Sequence, residues 1–390
     1  MKRILSVGLC FLLVVTLIAC GKDGDFAKSG RRNFEKGNYK EAANDFTKAI
    51  TKNPNRAEYY IDYGLTLVAQ GEYEKALKQF DRISTKSGAS VVKENSKRAL
   101  RGKGIAYYQM HDYKKALDEF EKALKNRELS NLNVDILYYM ASAQRMSGSY
   151  DKAVESYSKI IKKNKKDANA YSNRAYCYQL TGAYDKSLSD YNKALSLKPK
   201  KLEYYIGKYN LLKINNKETE AKAVLSEGAK IKPQTDLDQY NMARVLYYLG
   251  DQKAAMSQLM ISAQSGIEEA NYTIGEIYRE NKNYKKALQY YEKYLSEGKV
   301  KDAKGYNQAA VCLMKNEEYD KALDYLKKGI EVKDGTTLQV LMKNEIITYE
   351  NLGEYNKAHE VITDYQKMYP EDKEAAKEAE FIDTRIVYNN

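Results

Sequence analysis

Residues 168–201 read ANAYSNRAYCYQLTGAYDKSLSDYNKALSLKPKK. Apolar positions recur at helical spacing on both sides of a Leu-Thr-Gly-Ala-Tyr turn, which spells two amphipathic helices closed by a proline. Ala175, Ser187 and Ala194 are small where two helices must cross closely. Tyr171, Tyr178, Tyr184 and Tyr191 can fill the space around those crossings. The same grammar recurs nine more times, at a period of about 34 residues. Such a period marks a solenoid, in which each hairpin touches only its neighbours.

The recurrence is specific. A tyrosine follows the turn at Tyr39, Tyr73, Tyr113, Tyr150, Tyr184, Tyr284, Tyr319 and Tyr355, with Glu218 and Gln252 in the remaining copies. Three residues later comes Ala42, Ala76, Ala116, Ala153, Ser187, Ala221, Ala255, Ala287, Ala322 or Ala358. The chain's four prolines, Pro54, Pro199, Pro233 and Pro370, each lie twelve residues beyond such a small residue, where the second helix must stop. Gly37, Gly71, Gly148, Gly182, Gly250 and Gly353 share one turn slot, with Asn216 as a substitute and His111 in the third copy.

This pattern resembles the tetratricopeptide repeat, over about residues 24–370. The resemblance implies an all-α, right-handed solenoid of about ten helix-turn-helix repeats across residues 25–370, with a C-terminal capping helix and tail at 371–390. Tryptophan is absent, and Tyr60, Tyr171, Tyr205 or Tyr306 takes its usual place in the first helix. Residues 86–96 break the period and read as an extended loop or a lengthened helix start. Residues 126–133 are a smaller insertion. The sixth repeat diverges most, with Tyr209 and Glu218 at unusual slots.

The N-terminus has a different character. Lys2 and Arg3 precede an apolar run from Ile4 to Ile18, too short to span a bilayer and organised like a secretion signal. It ends Leu17-Ile18-Ala19-Cys20, which resembles the bacterial lipobox. The resemblance implies a signal peptide at 1–19, cut ahead of a diacylglycerylated Cys20, and a short linker at 20–24. Two acyl chains anchor a protein stably where one does not. The expected location is the cell membrane, lipid-anchored on its extracytoplasmic face.

Sixty-five Lys and Arg against 53 Asp and Glu give a formal charge of +12. The bases are interleaved with acids, as in KKALDEFEKALK, which is the pattern of solvated helix faces and not of a nucleic-acid footprint. Most of the 37 tyrosines are expected in the core with hydroxyls reaching the surface. Catalytic machinery is hard to assemble. The two histidines, His111 and His359, lie seven repeats apart, and no zinc, phosphate-loop or nucleophile-elbow motif is present. Cys177 and Cys312 share one interior slot four repeats apart, too far for a disulfide, and read as small core residues. No catalytic residue, metal or cofactor is expected.

In the family it resembles, first helices line a concave groove that takes a peptide or a partner helix. Carried over by position, that groove holds Asn169, Asn173 and Tyr176, then Asn210, then Tyr240, Asn241, Arg244 and Tyr247, then Tyr272 and Arg279. Asparagine can bond a peptide backbone both ways, and tyrosine and arginine are favoured at hot spots. Lys97 and Arg101 lie off the slots of the family's clamp for chaperone tails, so that ligand is not expected. The leading expectation is a non-enzymatic, lipid-anchored scaffold for a protein or peptide at the bacterial cell envelope. The alternative is an envelope glycan or wall-polymer binder using the tyrosine-lined groove.

Overall fold

The computed structural model describes residues 24–83, 90–297 and 302–389. Residues 1–19, expected to be a signal peptide, Cys20 and residues 86–89 of the first insertion lie outside them. The described residues form two compact units, divided between Leu197 and Lys198. In the first unit the helices are α1 (Asp25–Glu35), α2 (Tyr39–Lys52), α3 (Ala57–Gln70), α4 (Tyr73–Phe80), α5 (Ser90–Gln109), α6 (Tyr113–Lys125), α7 (Asn133–Met146), α8 (Tyr150–Lys163), α9 (Ala168–Leu180) and α10 (Tyr184–Leu197). In the second they are α11 (Leu202–Ile214), α12 (Glu218–Gly228), α13 (Asp236–Leu249), α14 (Gln252–Gln264), α15 (Glu269–Glu280), α16 (Tyr284–Glu297), α17 (Ala303–Lys315), α18 (Tyr319–Glu331), α19 (Leu338–Asn351), α20 (Tyr355–Met368) and α21 (Lys373–Asn389). They make ten hairpins, five in each unit, followed by the terminal helix α21. Within a unit each second helix also packs on the next first helix.

The turn residue explains where each hairpin bends. The slot is left-handed in all ten hairpins, with φ between 57° and 96°. Glycine enters that region without strain. Four hairpins put another residue there: His111, Asn216, Lys282 and Glu317. The next residue but one, the repeated tyrosine or its substitute Glu218 or Gln252, is the first residue of each second helix.

The small residue of each second helix is fully buried in all ten copies, at 0% exposure. Around it, large and small side chains alternate across the crossing. Phe46, Phe80, Phe120 and Tyr291 are buried against Gly30, Gly64, Gly104 and Gly275, each sixteen residues earlier in its own repeat. A Cβ on Gly64 would come within 2.6 Å of Phe80 Cε1. Phe80 is pressed from the other side too, since a Cβ on Gly102 of α5 would lie 2.4 Å from its ring. In the sixth repeat the same position carries Tyr209, which stacks on Tyr248 of the next first helix, ring centroids 5.0 Å apart. Its divergence is thus a change of packing partner.

The first insertion lengthens a helix: α5 starts at Ser90 and runs 20 residues. The second forms a 3₁₀ turn at Ser130–Leu132. Helix α21 is polar outside but buries Ala375 and Ile382 in the last apolar cluster with Ile346 and Tyr365. Lys343 and Tyr365 both hold the Asp372 carboxylate at its start and keep its pKa down to about 2. Further on, His359 Nδ1 meets Asp383 Oδ1 at 2.8 Å. Against α21, burial and then the neighbouring Glu378 push Glu350 of α19 up to about 8.

Two outcomes follow from this packing. Gly64→Ala should lower stability in urea titration by about 1–3 kcal/mol through overpacking, despite the gain in helix propensity of up to about 1 kcal/mol. Adding Phe80→Leu should restore most of the loss, and an unchanged single variant would mean the crossing is not tight. The second outcome concerns pH. A carboxyl with a raised pKa contributes stability that is fully present below its ordinary value and is lost as pH rises through the raised one. Between pH 4.5 and 8.5 the native chain should therefore lose more melting temperature than Glu378→Gln, in which Glu350 has no acidic neighbour there. Parallel pH profiles would remove the pairing from the account.

Candidate functional site

The face to consider is built by side chains eleven and eight residues ahead of each small residue, which lie three apart on a first helix and so share one side of it. Eleven ahead stand Arg31, Tyr176, Asn210, Arg244, Glu276 and Ile347, and eight ahead stand Arg145, Tyr247 and Arg279. Much of the neighbouring polar surface is used in stitching one repeat to the next. Arg31 Nε donates to Asp62 Oδ2 at 2.9 Å, with both side chains nearly buried. Arg101 pairs with Asp135, and the Tyr108 hydroxyl lies 2.9 Å from Ser142 Oγ. In the second unit Asn344 Nδ2 donates to Asn307 Oδ1 at 2.8 Å.

The ten expected groove residues divide accordingly. In the first unit Asn169 is exposed, and half-buried Asn173 donates to the Asn169 carbonyl at 2.9 Å. The Arg145 guanidinium lies over the Tyr176 ring, 5.6 Å from its centroid. In the second unit Asn210, Arg244, Tyr247, Tyr272 and Arg279 are half-buried. Tyr240 and Asn241 differ from expectation: they are buried, at 3% and 0% exposure, and do not line an open groove. The Tyr240 hydroxyl sits 3.2 Å from Thr273 Oγ1 of α15, so its ring bridges two repeats. Asn241 lies beneath Arg244, whose Nη1 donates to its Oδ1 at 3.2 Å.

Around the survivors the second unit carries an aromatic wall. Tyr247 and Tyr248 pack 5.1 Å apart, and Tyr248 continues the stack onto Tyr209. Burial, then a hydrogen bond with Glu280, pushes the Tyr247 hydroxyl up, so it remains a proton donor. Tyr272 packs on Tyr291 and Tyr294, and Arg279 is ion-paired to Glu276 at 3.2 Å.

Sequence reasoning missed three features of this face. Arg145 stands at the slot of Tyr247 and Arg279, and counting back from Ala153 would have found it. Tyr248, half-buried with its ring on the buried Tyr209, sits one place off the family's groove slots. Val340 and Ile347 share a side of α19, and Phe381 follows Ile347 by one full period. All three are more than 40% exposed. Large apolar side chains left in water on one face are a mark of an interaction surface.

Lys97 and Arg101 are consumed inside the fold. Lys97 is fully buried, and its Nζ donates to the carbonyls of Asn126 (2.9 Å) and Glu128 (2.7 Å) and to Asn133 Oδ1 (2.5 Å). Burial pulls its pKa down. Cys177 and Cys312 are buried free thiols, which burial pushes up to about 12. Among the described residues no three His, Cys, Asp or Glu side chains are placed to hold a metal ion.

Comparison with known proteins agrees with this architecture. Models described as tetratricopeptide repeat match residues 33–88, 101–168, 168–201, 268–297 and 303–335, together more than half the chain. An Hsp70-Hsp90 organizing protein of Triticum aestivum is 26% identical over 185 residues, 39% of this chain and 31% of that protein. A photosystem I assembly protein of Prochlorococcus marinus is 25% identical over 125 residues, 32% of this chain and 65% of that protein. Among solved structures, a tetratricopeptide repeat protein from Parabacteroides merdae is 18% identical, with a TM-score of 0.47 over 61% of this chain and 91% of that one. The chain spans about a third of the length of the first curated relatives it matches.

The lysine cradle can be tested directly. Lys97→Met should cost about 1–3 kcal/mol or more, because buried oxygens are left without a donor. Hydrogen exchange should speed up across residues 126–133. Unchanged protection there would mean that the ammonium does not hold the insertion.

Proposed function

The chain belongs to the tetratricopeptide repeat family, and from that premise we propose that it is a non-enzymatic scaffold, tethered at the bacterial cell envelope through lipidated Cys20, that binds a protein or peptide on its first-helix face. One observation carries the reading. That face offers half-buried polar and aromatic side chains, among them Asn210, Arg244 and Tyr247, and in later helices of the same unit the exposed apolar Val340, Ile347 and Phe381. A polypeptide brings backbone amides and apolar side chains together, and this surface matches both. A sugar polymer would leave the apolar residues unserved. Relatives named as an organizing protein and an assembly protein support a scaffold role. The lipobox, two histidines in separate units and the absence of known catalytic motifs support the remainder.

Two measurements on cells test it. Wild-type chain should incorporate an alkyne fatty acid and fractionate with membranes, and Cys20→Ser should do neither. A photo-crosslinking residue at Ile347 should give a reproducible protein adduct that is missing when the crosslinker replaces Gln289, an exposed residue of second helix α16. Adducts to glycan alone, or none from Ile347, would end the peptide reading.

A further inference from the structure

Several arginines in the chain have a carboxylate at hand. Arg101, Arg174 and Arg279 are ion-paired to Asp135, Asp190 and Glu276. Arg244, like Arg145 over the Tyr176 ring, is an exception. Among the described residues no carboxylate lies within ion-pair distance of its guanidinium. Its contacts are neutral: the Asn241 Oδ1 at 3.2 Å, the Tyr240 ring, 5.6 Å from the centroid, and a hydrogen bond with Tyr248. Glu203 of α11 acts on it only through space, and is paired through Oε1 with Lys201 at 3.0 Å. Beside it, Asn241 is wholly buried, and its Nδ2 donates to nothing. Removing a guanidinium from water without a counter-charge is costly, and an orphaned buried N–H adds to that cost. Both deficits occur at one place on the proposed binding face.

We propose that Arg244, supported by Asn241, is a subsite for the carboxylate of an aspartate or glutamate side chain in the bound peptide. This rests on the peptide-binding reading and says which residue such a peptide must carry. The planar guanidinium matches a carboxylate in two parallel hydrogen bonds, a fit that an amide or hydroxyl cannot reproduce. The low-dielectric surroundings of Tyr240 and Asn241 strengthen the pair over one in water. Chemistry of this kind selects strongly against the neutral analogue, because the wrong ligand leaves the buried cation unpaired.

The test uses the purified chain and fluorescence polarisation. The probes are twelve-residue peptides carrying apolar residues and one Asp or Glu, each matched to its Asn or Gln counterpart. Acidic members should bind roughly ten- to a hundredfold tighter than their amide partners. Arg244→Met should abolish that difference while leaving residual binding of the amides. Asn241→Asp supplies a carboxylate from within the chain, so it should also abolish the difference while keeping the arginine, which covers the case in which Arg244→Met does not fold. Equal affinity for acid and amide peptides would overturn the subsite and leave the peptide reading standing. No binding of any peptide would overturn both. Binding of poly(glycerol phosphate) in place of peptide, lost in Arg244→Met, would overturn the assignment to a peptide carboxylate.

Discussion

The close crossing of two helices over one small residue is the constraint from which the rest of this structure follows. Each second helix carries a buried aromatic or aliphatic knob four residues after the small one, and in four of the repeats it presses on a glycine sixteen residues earlier. Interiors pack like crystals, so a knob of this size fixes the separation of its two helices within tenths of an ångström. The separation in turn sets how the next first helix can dock. A single hairpin cannot bury its own apolar stripe. Stacking within each unit does so, which is why the core appears as a row of small clusters along the chain.

Stacking first helices beside one another brings their polar side chains into range, and the fold uses many of them. Arg31 with Asp62, Arg101 with Asp135 and Asn307 with Asn344 each join consecutive repeats. Such pairs contribute little net stability when they must be desolvated, but breaking one partner leaves a buried charge, so they hold the register of the stack. What remains unspent defines the face open to a partner. In the second unit that remainder changes character along the chain, from Asn210 and Arg244 to Ile347 and Phe381.

Tyrosine makes this economy possible. Its ring fills the crossing as phenylalanine does, while its hydroxyl reaches a group on the same or the next repeat. Tyr138 donates to Asp167 at 2.7 Å, Tyr240 meets Thr273, and Tyr291 bonds Glu276. The expectation that these hydroxyls emerge at the surface was too simple. At the crossings they bridge to polar side chains, and burial raises the pKa of Tyr157, Tyr240 and Tyr291 alike, so the rings stay neutral.

The local grammar was written in the chain. Period, turn slot, small residue and proline placed the helices to within a few residues, because capping, left-handed turns and close crossings each demand particular side chains at fixed spacing. Even so, Lys282 and Glu317 occupy the left-handed slot against preference, held by the hairpins on either side. Which face residues are free was not written there. Tyr240 and Arg244 lie one helical turn apart and look equally available in sequence. Only the neighbouring helix α15 decides that the tyrosine is sealed in a bridge to Thr273, while the arginine has no acid within reach. Burial and pairing depend on what the next repeat presents, and that information sits about 34 residues away in a side chain whose direction is fixed only once the hairpins have stacked.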